Sequence, residues 1–149
     1  MIYHSHSPED TQRFAREQAL RLVQEGAGEP VVIALEGELG AGKTTFVQSF
    51  AEALGVKEHL KSPTFVLMKH YHLANVPKYQ ALYHLDCYRL NSSADLFPLG
   101  IGDIIHLPGT IILIEWAERV VDILPRNHWV IHIDHIAEQE RNILITKRE

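Results

Sequence analysis

The stretch from Val31 to Leu54, VVIALEGELGAGKTTFVQSFAEAL, leaves few folds open to the chain that contains it. It begins with a continuous apolar run, Val31 to Leu35, β-branched at Val31, Val32 and Ile33, as a strand buried on both faces should be. It ends with Phe46, Val47, Phe50, Ala51 and Leu54, which fall on one face of a helix. Between them, Gly37-Glu38-Leu39-Gly40-Ala41-Gly42-Lys43-Thr44 is a full match to the phosphate-binding pattern G-x-x-x-x-G-K-[ST]. The glycines allow turns that a Cβ would obstruct, and they turn backbone N–H groups inward. The helix then starts at the phosphates, so its free N–H groups and positive dipole end face the anion. Lys43 reaches the β- and γ-phosphates in such a loop, and the Thr44 hydroxyl ligates Mg²⁺. The segment is a nucleotide-binding loop.

Length and composition narrow the rest. At 149 residues and 46% hydrophobic, the chain is expected to form one domain, residues 1–149, with enough core to fold alone. No run approaches the ~18 consecutive apolar residues of a transmembrane helix, and the polar N-terminus MIYHSHSPEDTQ lacks the apolar core of a secretory signal. The single cysteine, Cys87, has no internal partner, in keeping with a reducing cytoplasm. A net charge of −5 without any Lys- or Arg-rich run argues against strong, unaided nucleic-acid binding.

Along the chain, Ser7-Pro8-Glu9-Asp10 reads as a helix start, with Ser7 as N-cap and Gly26 as the stop. The loop's helix should end near Gly55. Thr64 to His72 and Gln80 to Tyr88 read as strands of a loose hairpin, although imperfect alternation leaves the buried face open. Asn91-Ser92-Ser93 precedes a short helical piece interrupted by Pro98, Gly100 and Gly102. Thr110 to Trp116 is the second fully buried strand, followed by a short helix from Glu118 to Leu124. Trp129 to Ile136 and Asn142 to Thr146 form a final hairpin. This order predicts an α/β fold, a P-loop NTPase-like three-layer arrangement with a mixed, partly parallel sheet.

Phosphoryl transfer needs Mg²⁺ held by the loop Thr and usually by an acid at the end of a second strand, plus a group that orients the nucleophile. Two acids qualify: Asp86, ending ALYHLD, and Glu115, ending IILIE. Glu115 sits on the better parallel-strand candidate, whereas Asp86 is the residue type more usual in a metal shell, and the two could divide the work. Ser62-Pro63-Thr64 reads as a switch segment with the Thr64 hydroxyl near the γ-phosphate or Mg²⁺, or as a plain strand start. Arg89 could pair with Asp86 or approach the phosphates, and Trp116 could stack on a ligand or fill core. His70, His72 and His84 make a zinc site conceivable, but no Cys or His pair stands at zinc-finger spacing.

Taken together, GELGAGKTTF, SPTF, HLDCYRL and LIEWAERV, in this order and at these intervals, closely resemble the bacterial TsaE (YjeE) family. The resemblance spans about Val31 to Pro125, and the ending around Arg141 is compatible with it. It implies an ATPase required for threonylcarbamoyladenosine (t6A) modification at position 37 of tRNAs reading ANN codons. In that family TsaD transfers the threonylcarbamoyl group, TsaB and TsaD are the working partners, and ATP hydrolysis supports cycling of the complex. By motif, Glu38, Leu39, Gly40, Ala41, Gly42, Lys43, Thr44 and Thr45 would bind the triphosphate, with Thr44 on Mg²⁺. Thr64 stands at the switch threonine, Asp86 at the metal-side aspartate, and Glu115 with Trp116 at the catalytic edge. Lys43, Thr64 and Glu115 are thereby the catalytic candidates, and Thr44, Thr64, Asp86 and Glu115 the metal candidates. Departures are mild: Cys87 replaces a usual Leu, Ala117 a frequent Pro, and the segment around Pro98 is less regularly helical.

Other readings share the loop. A small-metabolite kinase would carry an Arg-bearing lid, but the eight arginines here are scattered. A GTP-driven switch would carry N-K-x-D, which is absent. A non-enzymatic subunit that uses ATP only to hold a shape stays open, because a complete loop guarantees binding and not turnover. Contact with tRNA is expected only through partners.

Overall fold

The computed structural model describes residues 1–38, 40–60 and 67–149. Among these, a seven-stranded sheet runs in the order β1-β7-β6-β2-β5-β4-β3. Its strands are β1 (Ile2–Ser5), β2 (Val31–Glu36), β3 (Met68–His72), β4 (Ala81–Asp86), β5 (Thr110–Glu115), β6 (His128–His135) and β7 (Arg141–Arg148). The centre is parallel: β2 lies between β5 and β6, and β4 extends the parallel set beyond β5. The edges are antiparallel, with β3 on β4, β7 on β6 and β1 on β7. The expected α/β class and mixed sheet are both present.

The period of two along each strand sorts side chains between two cores. Val31, Ile33 and Leu35 of β2, with Ile111 and Leu113 of β5, pack against helices α1 (Pro8–Gly26) and α2 (Lys43–Ala53). Val32 and Ala34, with Ile112 and Ile114, face the opposite layer, which contains Leu96, Ile101, Ile105 and Val120. That layer is built of a 3₁₀ segment over Ser93–Leu99, with Pro98 inside it, and the short helix α3 (Ile101–Ile104). The irregularity expected around Pro98 and Gly100 is present, with Gly100 in the left-handed region.

Helix α1 starts where its sequence says it should. The Ser7 hydroxyl accepts from the Asp10 N–H at 3.0 Å, a cap of about 1 kcal/mol. The helix ends at Gly26, but the left-handed residue beyond it is Ala27. Gly26 instead makes room, since a Cβ there would collide with the Tyr79 hydroxyl and the Val31 side chain. Two further details differ from the sequence reading. The helix expected over residues 118–124 is two 3₁₀ turns, Ala117–Arg119 and Val121–Ile123, separated by a non-helical Val120. Adjacent β-branched valines disfavour helix, and Val120 is drawn fully into the core. Strand β1 has no counterpart in the sequence reading, because its one sheet partner among the described residues is β7, at the far end of the chain.

Candidate functional site

The phosphate-binding loop leaves β2 at the carboxyl edge of the parallel strands and enters α2. Gly37, Gly40 and Gly42 all have positive φ (140°, 78° and 105°), conformations that side chains rarely adopt. Gly37 is doubly constrained, because a Cβ there would strike the Ile133 carbonyl oxygen of β6. Gly42 caps α2 without a side-chain acceptor, leaving the helix N-terminus open toward the loop.

Beside this loop lies a cavity of about 410 Å³, of the size that holds small ligands. Gly40 to Thr45 line it together with Asp86, Tyr88, Glu115, Trp116 and Arg141. Strand register explains the arrival of both acids. Asp86 and Glu115 are paired neighbours at the ends of β4 and β5, on the strand face shared by Leu82 and Leu113, which is the α2 side. The Cys87 N–H donates to the Glu115 carbonyl at 3.0 Å, and the Asp86 Oδ1 accepts from the Tyr88 N–H at 3.0 Å, fixing the strand ends.

Glu115 is buried and held by a second buried group: the Nε2 of His84 lies 2.6 Å from its Oε2. The Nδ1 of His84 is buried without a hydrogen-bond partner. Lys43 is buried as well. Its ammonium donates to the Gly37 carbonyl and, at 2.9 Å, to the Glu38 carbonyl. It also lies 4.1 Å from the centre of the Trp116 ring. Burial pushes the Lys43 pKa down, against the pull of Glu118, Glu115 and Asp86. Cys87, beneath the acids, is pushed up to about 12 by burial and then by Asp86 and Glu115, so its thiol stays protonated.

Trp116 packs half-buried against the core layer that contains Leu96 and Ile101, and it is not a simple continuation of β5. It sits in the left-handed region (φ 58°, ψ 42°), a conformation costing on the order of 1 kcal/mol for a non-glycine residue. Its ring is 5.0 Å from that of Tyr88, and the Arg119 guanidinium lies 5.7 Å from it on centroid distance. Glu38 is not among the residues lining the first cavity and instead lines a second cleft of about 390 Å³ with Gly37, Trp116, Glu118, His132 and Asp134.

The sequence of this chain matches, over residues 5–143, the family model described as threonylcarbamoyl adenosine biosynthesis protein TsaE. The chain belongs to the TsaE family. TsaE of Bacillus subtilis is 37% identical over 140 residues, covering 94% of this chain and 81% of the relative. TsaE of Treponema pallidum is 38% identical over 141 residues, covering 95% and 96%. The crystal structure of Bacillus subtilis YdiB superposes with a TM-score of 0.70 at 32% identity, covering 100% of this chain and 86% of that one.

In this TsaE family member, Gly40, Ala41, Gly42, Lys43, Thr44, Thr45, Asp86, Glu115 and Trp116 all line one cavity. Glu38 contributes its carbonyl to Lys43, while Leu39 and Thr64 lie outside the described residues. Arg89 is exposed beyond β4 and does not line the cavity. The conceivable zinc trio does not assemble: His84 pairs in register with Lys69, so its side chain is on the opposite sheet face from His70 and His72. Two contributors escaped the sequence reading. One is His84 as the partner of Glu115. The other is Arg141, whose Nε donates to the Ala41 carbonyl at 2.9 Å and whose Nη2 reaches the Gly40 carbonyl at 3.4 Å. The same guanidinium holds the Ala137 and Glu140 carbonyls at 2.8 and 2.9 Å, fastening the β6–β7 turn to the loop.

Proposed function

We propose that this protein is a Mg²⁺-dependent ATPase, one domain over residues 1–149, that acts with TsaB and TsaD in forming t6A at position 37 of tRNAs reading ANN codons. The observation that carries the reading is one cavity joining a glycine loop, a buried Lys43, the Thr44 hydroxyl side chain and two strand-end acids. Family membership supports the pathway, since the relatives carry the name tRNA threonylcarbamoyladenosine biosynthesis protein TsaE.

The donor set fits a hard divalent ion: Thr44 and Asp86 offer oxygen ligands in the same cavity. When bound, Mg²⁺ neutralises charge on the β- and γ-phosphate oxygens. The protein's own residues do the rest. Backbone N–H groups of the loop and the α2 N-terminus bind the triphosphate. Lys43 exchanges its two loop carbonyls for phosphate oxygens, a better match for an ammonium. Glu115, with Oε2 held by His84, keeps Oε1 as the acceptor that orients a water and takes its proton as the water attacks the γ-phosphorus, while the bond from that phosphorus to the β,γ-bridging oxygen breaks and ADP leaves. Thr64 is assigned the γ-phosphate-sensing role and, with Glu115, a place near the metal. Trp116 screens the ammonium side of the site, and Leu39 with Glu38 completes the loop.

Hydrolysis supports cycling of the partner complex and is slow without it. Contact with tRNA comes through the partners, in keeping with a net charge of −5. Among the described residues no helix is long and apolar enough to cross a membrane; the reading places the protein in the cytoplasm. The test is phosphate release from ATP and from GTP, with and without TsaB and TsaD. Release from ATP that rises with the partners is expected. Equal use of GTP, or no release under any condition, would refute the assignment.

A further inference from the structure

At the β1 margin of the sheet, on the same carboxyl end as the phosphate-binding loop but several strands away from the acids of β4 and β5, β1 carries His4 and the chain just beyond it carries His6. Two residues apart on extended backbone, their side chains fall on one side. The rings are stacked, with centroids 4.6 Å apart. The turn between β6 and β7 brings Glu140 against them: its Oε1 is 3.0 Å from His4 Nε2 and 3.9 Å from His6 Nδ1. Among the described residues this is the one group of three or more His, Cys, Asp or Glu side chains whose ligand atoms all lie within 4.8 Å of one another.

We propose that His4, His6 and Glu140 bind a divalent transition cation of the zinc class. Ligand bonds of about 2.0–2.1 Å at tetrahedral angles place neighbouring ligand atoms about 3.3 Å apart, and the two Glu140 distances bracket that spacing. Two imidazoles and a carboxylate suit zinc, nickel or copper and not magnesium, which keeps this site chemically apart from the oxygen donors of the nucleotide cavity. Three protein ligands leave a fourth position for water.

The backbones that carry the ligands are already fixed. His4 is in register with Asn142 of β7, and the His6 N–H donates to Asp10 Oδ2 at 3.0 Å. The Glu140 carbonyl accepts from the N–H groups of Ile136 and Ala137, and its own N–H donates back to the Ala137 carbonyl. The cation would therefore replace hydrogen-bonded contacts between exposed side chains without ordering any backbone. It would also clip β1 to the turn that Arg141 fastens to the phosphate-binding loop.

The experiment uses the full chain without a histidine tag, titrated with ZnCl₂ against a chromophoric zinc chelator in excess Mg²⁺. One zinc per chain is expected, with affinity lowered at least about tenfold by His4→Ala/His6→Ala and by Glu140→Gln. His132→Ala, which removes an imidazole lying 3.2 Å from Glu36 and 2.8 Å from Asp134, should leave zinc affinity unchanged. Thermal midpoints should rise with zinc in the wild type and stay flat in the double variant. On the unmutated chain, zinc should shift the imidazole NMR resonances of His4 and His6. No uptake of zinc, an undiminished affinity in the double variant, or unmoved His4 and His6 resonances would overturn the assignment.

Discussion

His84 Nε2 and Glu115 Oε2 lie 2.6 Å apart on adjacent parallel strands, both almost wholly removed from solvent. The bond orients a carboxylate that would otherwise rotate freely at a strand end, and it leaves the buried His84 Nδ1 without a hydrogen-bond partner. His84→Asn is expected to lower single-turnover ATP hydrolysis by at least about tenfold while Mg²⁺-ATP affinity stays within about twofold, since the change acts on Glu115 and not on the loop. A variant that loses affinity and turnover equally would show His84 to be a structural residue only.

The two acids should separate by readout. If Asp86 holds the metal as proposed, Asp86→Ala is expected to weaken Mg²⁺-dependent nucleotide binding as well as turnover, because the triphosphate would lose its held counter-ion. If Glu115 acts on the water as proposed, Glu115→Gln should keep the shape and much of the ground-state affinity while hydrolysis falls by roughly two to four decades, the range for a lost general base. Mg²⁺-ATP affinity beside single-turnover hydrolysis, with TsaB and TsaD present, measures both. The reverse pattern would exchange their roles.

Lys43 is a buried cation resting on carbonyls and on the Trp116 ring. Lys43→Ala should abolish nucleotide-dependent turnover with the far-UV spectrum unchanged and the nucleotide-free thermal midpoint no lower than the wild type by more than a few degrees. The desolvation that depresses its pKa is relieved when the charge is removed, offsetting the lost contacts. Wild-type turnover in this variant would sink the loop assignment.

Arg141 grips the loop from 100 positions away in sequence. Arg141→Ala is expected to weaken ATP binding about tenfold, the equivalent of about 1.4 kcal/mol, by loosening Gly40 and Ala41. Arg141→Lys should not rescue it, since one ammonium cannot hold the loop and the β6–β7 turn together. A fluorescent-nucleotide titration decides this, and an unchanged dissociation constant in Arg141→Ala would count against it.

Acid sensitivity should map to Asp10. Its carboxylate accepts from the Tyr3 hydroxyl at 2.5 Å and the His6 N–H, and pairs with Arg13, which together hold its pKa at about 2 instead of the usual 3.8. A folded pKa below the unfolded one contributes stability above about pH 3.8, lost as pH falls toward 2. Asp10→Asn should therefore melt lower than wild type at neutral pH, with the gap closing between about pH 4 and 2. Melting curves across that range check it; a gap independent of pH would assign the effect to packing.

What was legible in the sequence was local. The buried strand Val31–Leu35, the glycine turn and the amphipathic helix after it are encoded by periods of 2 and 3.6 and by residues that only a phosphate-binding turn requires. The Ser7 cap and the second buried strand were legible for the same reason, and strand-end position picked out Asp86 and Glu115. Tertiary structure alone decided which groups meet. Sheet order carried β7 close enough for Arg141 to reach Ala41, and carried β1 to β7 so that His4 and His6 meet Glu140. Register placed His84 on the side of Glu115 and not with His70 and His72, and a left-handed turn swung Trp116 over Lys43. Each of these depends on a pairing between segments that carry no mark of one another. Hydrophobic periodicity says which face of a strand is buried, and only the packed sheet says what is buried beside it.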